Sequence, residues 1–260
     1  MPTNTFKRAL RQGKPQIGLW MGLADPYVAE LLATAGFDCL IIDAEHSPND
    51  PRSVLAQLQA IAPYPVHPIV RPVHGSVELI KQYLDIGAQT LIIPMVESEE
   101  QARRMVAATR YPTRGVRGVG TAVARASRWN QIDDYVGRSD AEICVFVQVE
   151  SVNALAQLER IAAVDGVDGV FFGPADLAAS MGLLGRPGDP KVQDALLAGI
   201  ATVARAGKAA GTLTSDRKLA RRYLDQGALF VAVGVDTTLM LKAASELASE
   251  FIPPAPRAPG

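Results

Sequence analysis

The chain has 260 residues, 48% of them hydrophobic and 20% charged, with a net charge of −1. That length suits one domain with one large core, and a single α/β barrel accounts for it at least as well as two small domains. No Lys/Arg tract with interleaved aromatics is present to follow a phosphate backbone, and no apolar run approaches the roughly 18 residues a membrane helix needs, so neither a nucleic-acid nor a membrane partner is expected.

Residues 1–11 lack the basic-then-apolar pattern of a secretion signal, and cytoplasmic residence is expected. In chain order, a strand is expected near 16–20 and a helix over Pro26–Ala35, then a strand near 39–42 and a helix over Pro51–Ala62. The third and fourth strands fall near 67–70 and 91–94, each followed by a helix, Ser76–Ile86 and Glu99–Thr109. Residues 110–142 break this spacing with Gly115, Gly118 and Gly120, a long excursion of the kind that is functional or interfacial more often than idle. Strands near 143–149, 169–172, 209–213 and 229–233 complete the set, with helices over Val152–Ala162, Val192–Ala206, Asp216–Gln226 and Thr237–Phe251. A phrase recurs four times, at 36–43, 87–94, 166–173 and 227–234: a Gly after helix-like residues, then an apolar run. The Gly supplies the left-handed residue that ends a helix, and the near-continuous apolar run suits a parallel strand covered on both faces. Eight strands alternating with helices predict a closed (β/α)₈ TIM barrel over 1–251, with a proline-rich tail at 252–260.

In such a barrel the reacting groups follow the strands at the C-terminal mouth. Asp43, Glu45 and His46 follow the second strand and Arg71 the third; Gln148 and Glu150 close the fifth, and Gly173, Pro174, Ala175 and Asp176 follow the sixth. Glu150 and Asp176 end strands adjacent in chain order, so their carboxylates can converge on one hard cation such as Mg²⁺, Mn²⁺ or Co²⁺ and leave room for substrate. The bland alternative makes Asp176 a helix cap, which leaves Glu150 unexplained. Arg71 suits a developing oxyanion, with an ion pair to Asp43 or Glu45 as its structural rival. His46, beside two acids, has the setting of a general base, whereas His67 lies at the stability end of its strand and His74 in a loop. No lysine falls at a strand end, which counts against a Schiff base, and Cys39 and Cys144 are expected to be reduced core thiols.

Taken with Gln16–Trp20, Glu30–Asp38, Ile42–His46, Val70–Pro72, Tyr111–Pro112, Arg117–Gly120, Ala124–Asn130, Val147–Glu150, Gly169–Leu177 and Val231–Thr238, these motifs are similar to those of the 4-hydroxy-2-oxoheptane-1,7-dioate aldolases, from about Phe6 to Phe251. That group comprises class II, metal-dependent pyruvate aldolases of aromatic catabolism. The resemblance implies His46 as catalytic base, Arg71 as transition-state stabiliser, and Glu150 and Asp176 as ligands of the divalent metal, with no organic cofactor. It implies Gln148, Ala175 and Asp176, flanked by Gly173 and Pro174, against the pyruvyl unit. It also implies an acid at Asp85 that raises the basicity of the histidine, and a homohexamer built as a trimer of dimers. Asp85 falls near a helix end on the face opposite His46 of the same barrel, so either a neighbouring subunit supplies it, as a hexamer permits, or the element boundaries differ from those expected. Ala44 and Cys39 depart from the usual Gly and Trp, and the segment 212–216 also differs, at a loop that bears on the aldehyde. The expected reaction is reversible cleavage of a 4-hydroxy-2-oxo acid to pyruvate and an aldehyde such as succinic semialdehyde. Two alternatives remain: a 2-keto-3-deoxy sugar-acid aldolase, and a sugar-phosphate barrel using Gly211 and Gly234 to Thr238.

Overall fold

A computed structural model describes residues 2–253, so residues 254–260 of the expected tail lie outside it; Ile252 and Pro253 are neither helix nor strand. Eight parallel strands close into a barrel in chain order: β1 Gln16–Met21, β2 Cys39–Asp43, β3 His67–Arg71, β4 Thr90–Ile93, β5 Cys144–Val149, β6 Gly169–Phe172, β7 Ala209–Leu213 and β8 Phe230–Val235. The helices are α1 Thr5–Arg11, α2 Pro26–Ala33, α3 Pro51–Ile61, α4 Val77–Asp85, α5 Glu99–Thr109, α6 Tyr135–Glu142, α7 Val152–Ala156, α8 Leu158–Ala162, α9 Pro174–Ser180, α10 Pro190–Arg205, α11 Arg217–Asp225 and α12 Asp236–Phe251. No helix among the described residues is long and apolar enough to cross a membrane.

Gly36, Gly87, Gly166 and Gly227, the four punctuating glycines, all have φ between 89° and 110°, so each turns a helix end into the next strand in a conformation a Cβ would resist. The helix expected over 152–162 is two short helices, α7 and α8, meeting at Gln157. Helices α1, α6 and α9 were not expected from the sequence.

Side chains alternate in and out along each strand. Leu40, Ile42, Val70, Leu91, Val147 and Phe172 pack outward against the helices, while Ile41, Ile69, Ile92, Phe146, Phe171 and Phe230 fill the lumen. The lumen aromatics leave no space at neighbouring inward positions. A Cβ on Gly169 would lie 2.3 Å from Phe146 Cε1, and one on Gly211 2.9 Å from Phe230 Cδ1. Both cysteines are free and fully buried in this lumen, where burial pushes their thiols up. Helix α1 closes the N-terminal end: Phe6 stacks on His67 and meets Phe230 edge-on, and Lys7 pairs with Asp168 at 3.2 Å. His67 is buried there against Thr90 Oγ1 at 2.8 Å, which supports its structural reading.

Inward parity continues to the other end. Counting by twos from the lumen residues reaches Asp43 on β2, Arg71 on β3, Gln148 and Glu150 on and after β5, and Gly173 after β6. The same alternation that packs the apolar layers therefore finishes β2, β3 and β5 with polar groups at the C-terminal mouth.

Candidate active site

The strand register puts Asp43 directly beside Arg71. Arg71 donates from Nε to Asp43 Oδ1 at 2.8 Å and from Nη2 to Oδ2 at 2.7 Å, a forked pair between groups that are both over nine-tenths buried. Its Nη1 lies 2.7 Å from Glu45 Oε2, close enough to pair charges, although that oxygen has no aligned donor. Under the guanidinium lies Trp20, from the end of β1, with its ring centre 4.6 Å from Arg71 Cζ. Both structural partners weighed for Arg71 are thus present, and they fix it at the mouth. Burial opposes ionisation of Asp43, but the hydrogen bonds and charge of Arg71, with the Glu45 N–H, hold its carboxyl below the usual range.

Glu150 is 3% exposed, and burial pushes its carboxyl up. Gln148 Nε2 and the Met95 N–H, at 3.0 Å, donate to its two oxygens and resist that rise, while the charge of Asp176 adds to it. Met95, just past β4, takes a left-handed φ of 56°, which turns its N–H toward Glu150. Glu45 is also pushed up, by burial first and then, against Arg71, by the charges of Glu150 and Asp43. Gln148 Oε1 is buried with no partner.

Asp176 lies in the first turn of α9, where a carboxylate suits the helix dipole, and is exposed; it makes no side-chain hydrogen bond to the cap. Gly173, before α9, abuts Glu150: a Cβ there would sit 2.4 Å from Glu150 Oε2. Ala175 is exposed, and with Pro174 it borders a cavity of about 260 Å³ shared with Leu213, Thr214, Ser215 and Tyr223. His46 is on the loop after β2, its side chain 66% exposed, with Nε2 3.9 Å from Glu45 Oε1. Ser47 Oγ and Asn49 Nδ2 tie that loop to the Asp43 carbonyl.

Asp85 is not part of this group. It ends α4 at the opposite end of the barrel, where Arg117 Nη2 donates to it at 2.7 Å. The N-terminus of α12, the candidate phosphate site, is occupied from within: Asp236 accepts the N–H groups of Gly22, Leu23 and Thr237. Gly211 is enclosed among lumen aromatics, so the sugar-phosphate alternative loses both of its supports.

Sequence reasoning missed three contributors. Trp20 stood only as part of a motif, although a large aromatic ending a strand is a visible signal; Met95 acts through its backbone, and Asp236 as a latch on the loop after β1.

A closed barrel whose C-terminal mouth carries a clamped Arg71 beside the buried carboxylate of Glu150 has the architecture of a (β/α)₈ enzyme, and the comparisons with known proteins supply the class. The sequence profile of the HpcH/HpaI aldolase/citrate lyase family matches residues 16–243, and the chain belongs to that family of carbon–carbon lyases. It is 60% identical over 251 residues to a hydroxypyruvate/pyruvate aldolase of Pseudomonas aeruginosa, covering 96% of this chain and 94% of the relative. It is 58% identical over 248 residues to a 4-hydroxy-2-oxo-heptane-1,7-dioate aldolase of Salmonella paratyphi B, covering 95% and 94%. A crystal structure of a family member from Burkholderia cenocepacia superimposes with a TM-score of 0.92 at 41% identity, covering 95% of this chain and 99% of that one.

Proposed function

We propose that the protein cleaves 4-hydroxy-2-oxo acids reversibly to pyruvate and an aldehyde, succinic semialdehyde among them, with a divalent cation held by Glu150 and Asp176. The observation that carries this reading is the buried carboxylate of Glu150, which makes no ion pair among the described residues and lies against Gly173, at the start of the helix that carries Asp176. Among the described residues no group of three or more His, Cys, Asp or Glu side chains could hold an ion, so this reading takes Glu150 and Asp176 as a pair of ligands and leaves the other positions to water and substrate. The unpartnered Gln148 Oε1 and the space kept open by Gly173 suit the same occupant. Mg²⁺, Mn²⁺ or Co²⁺ bound there would supply Lewis-acid neutralisation of the pyruvyl carboxylate and keto oxygens.

The chain's own groups supply the rest. Gln148 and the α9 start at Gly173, Pro174 and Ala175 orient the pyruvyl unit beside Asp176. His46, directly or through a water, takes the proton of the C4 hydroxyl; the C4–O electrons form the aldehyde carbonyl, the C3–C4 pair becomes the enolate, and protonation at C3 gives pyruvate. Arg71, held by Asp43 and Glu45, faces the oxygen on which enolate charge develops and does not reorganise to do so. In the synthetic direction the same imidazole removes a methyl proton of pyruvate. Asp85, at the far end of its own barrel, would support His46 only across a subunit boundary. Exposed Leu239, Met240, Leu241, Leu247, Phe251 and Ile252 on and after α12 support self-association, and the proposed assembly is a homohexamer in the cytoplasm.

The test is a pyruvate-release assay on a panel of 4-hydroxy-2-oxo acids, including 2-keto-3-deoxy sugar acids, with hydroxypyruvate as a second donor in the synthetic direction. Glu150→Ala and Asp176→Ala should each be silent on every substrate that wild type turns over. Retained turnover in Glu150→Ala would refute the ligand assignment.

A further inference from the structure

Arg117, in the 110–142 excursion, is the largest fully buried side chain among the described residues. Its guanidinium carbon lies 4.5 Å from the ring centre of Tyr111 and 5.9 Å from that of Tyr135. Nη2 donates to Asp85 Oδ1 at 2.7 Å and lies 3.4 Å from the Tyr135 hydroxyl, while Nε and Nη1 have no partner. A buried guanidinium with two idle donors is a poor way to stabilise an excursion, since apolar side chains of similar volume commonly do at least as well. What the arrangement achieves is directional. It pins one oxygen of Asp85, whose side chain is 25% exposed, and among the described residues the other oxygen takes no hydrogen bond. The same excursion holds the next residue, because Arg125 Nη1 donates to the Ile86 carbonyl at 2.9 Å. Val116, Val119, Val123 and Trp129 on that excursion are exposed apolar side chains, a surface suited to a second copy of the chain.

We propose that Arg117 is a positioning residue: caged by Tyr111 and Tyr135, it fixes the rotamer of Asp85 so that the free carboxylate oxygen meets the partner's His46. The inference rests on the reading above in which Asp85 acts across a subunit boundary. It requires a cation that does not exchange with solvent, which the aromatic cage and the absence of exposure provide. Arg117 touches no substrate, so its effect must run through Asp85 alone.

The experiment compares Arg117→Met, Asp85→Asn and the double variant in two reactions. Aldol cleavage needs the base. Decarboxylation of oxaloacetate does not: the C–C electron pair of the departing carboxylate becomes the enolate, CO₂ leaves, and water protonates C3. Arg117→Met should lower kcat for cleavage about 10- to 100-fold, with KM for the cleaved acid and decarboxylation within about twofold of wild type. In the Asp85→Asn background it should cost nothing further. Parallel loss of both reactions, losses that multiply in the double variant, or wild-type cleavage by Arg117→Met beside an impaired Asp85→Asn would each overturn the proposal. Wild-type cleavage by Asp85→Asn would instead remove the reading beneath it. Should Arg117→Met fail to fold, Arg117→Gln, which removes the cation and keeps a polar side chain, carries the same comparison: lowered cleavage with intact decarboxylation supports the role, and unchanged cleavage refutes it.

Discussion

Gly173→Ala tests the site with a single methyl group. The backbone there has φ −94° and ψ 96°, which alanine adopts freely, so the substitution acts through contact rather than strain. The new Cβ would lie 2.4 Å from Glu150 Oε2, 3.1 Å from Glu150 Cβ and 3.3 Å from Gln148 Nε2. Glu150 cannot swing aside cheaply, because it is buried and both oxygens are held, by Gln148 and by the Met95 N–H. Restoring the 3.4 Å of ordinary contact moves the carboxylate by about 1 Å. A displacement of that size costs on the order of 100-fold in rate, about 2.7 kcal/mol of transition-state stabilisation. A Mn²⁺ titration of pyruvate release should show kcat/KM down about 100-fold and the Mn²⁺ requirement raised about 10- to 100-fold, with circular dichroism unchanged. Wild-type kcat/KM at the wild-type Mn²⁺ requirement would refute the placement of Glu150 against Gly173.

Arg71→Lys supplies charge without the fork, so cleavage should fall about 100- to 1,000-fold; Arg71→Ala, which leaves buried Asp43 unpaired, should also lose about 3–5 kcal/mol in urea unfolding. Equal stability of Arg71→Ala and wild type would contradict the buried pair. Because the Glu150 carboxyl is pushed up, its contribution is full below about pH 4.5 and declines as pH rises through the folded value. Metal-free Glu150→Gln should therefore melt above metal-free wild type at pH 7, and added Mn²⁺ should raise the Tm of wild type but not of the variant. His67, lowered from 6.5 to about 4 by burial, favours the unfolded chain as pH falls through that window, by roughly 3 kcal/mol at its lower end. His67→Gln should abolish this slope in pH-dependent unfolding. The separate loss below pH 3.8 should remain, because Asp43, held low by Arg71, is stabilising above that pH and is lost as protonation overtakes the pair.

The barrel was legible because its grammar is local. Each of Gly36, Gly87, Gly166 and Gly227 marks a helix end, and the apolar runs after them, covered on both faces, could be little but parallel strands. All eight strands fall within two residues of expectation. Helix α1 also has a local sequence signal: Asn4 caps it, and Phe6 and Leu10 sit four apart on one face. Pro174 at the first position of α9 was another. The Asp43–Arg71 pair was foreseeable as a structural option, since both end neighbouring strands. Contacts set by three-dimensional register were not foreseeable. The nearness of Gly173 to Glu150 follows from the pairing of Val149 with Phe172, and the cage around Arg117 joins residues from 111 to 135 that no spacing rule connects. An arginine in a glycine-rich stretch reads as solvated surface, and only the fold shows it fully enclosed.

The most direct measurement of the central claim is pyruvate release from 4-hydroxy-2-oxoheptanedioate after chelation, run beside borohydride treatment with pyruvate and intact-mass analysis. Cleavage should stop with chelator and return with Mg²⁺, Mn²⁺ or Co²⁺, and the mass should not change. Chelator-resistant cleavage together with a pyruvyl adduct on a lysine would contradict the account.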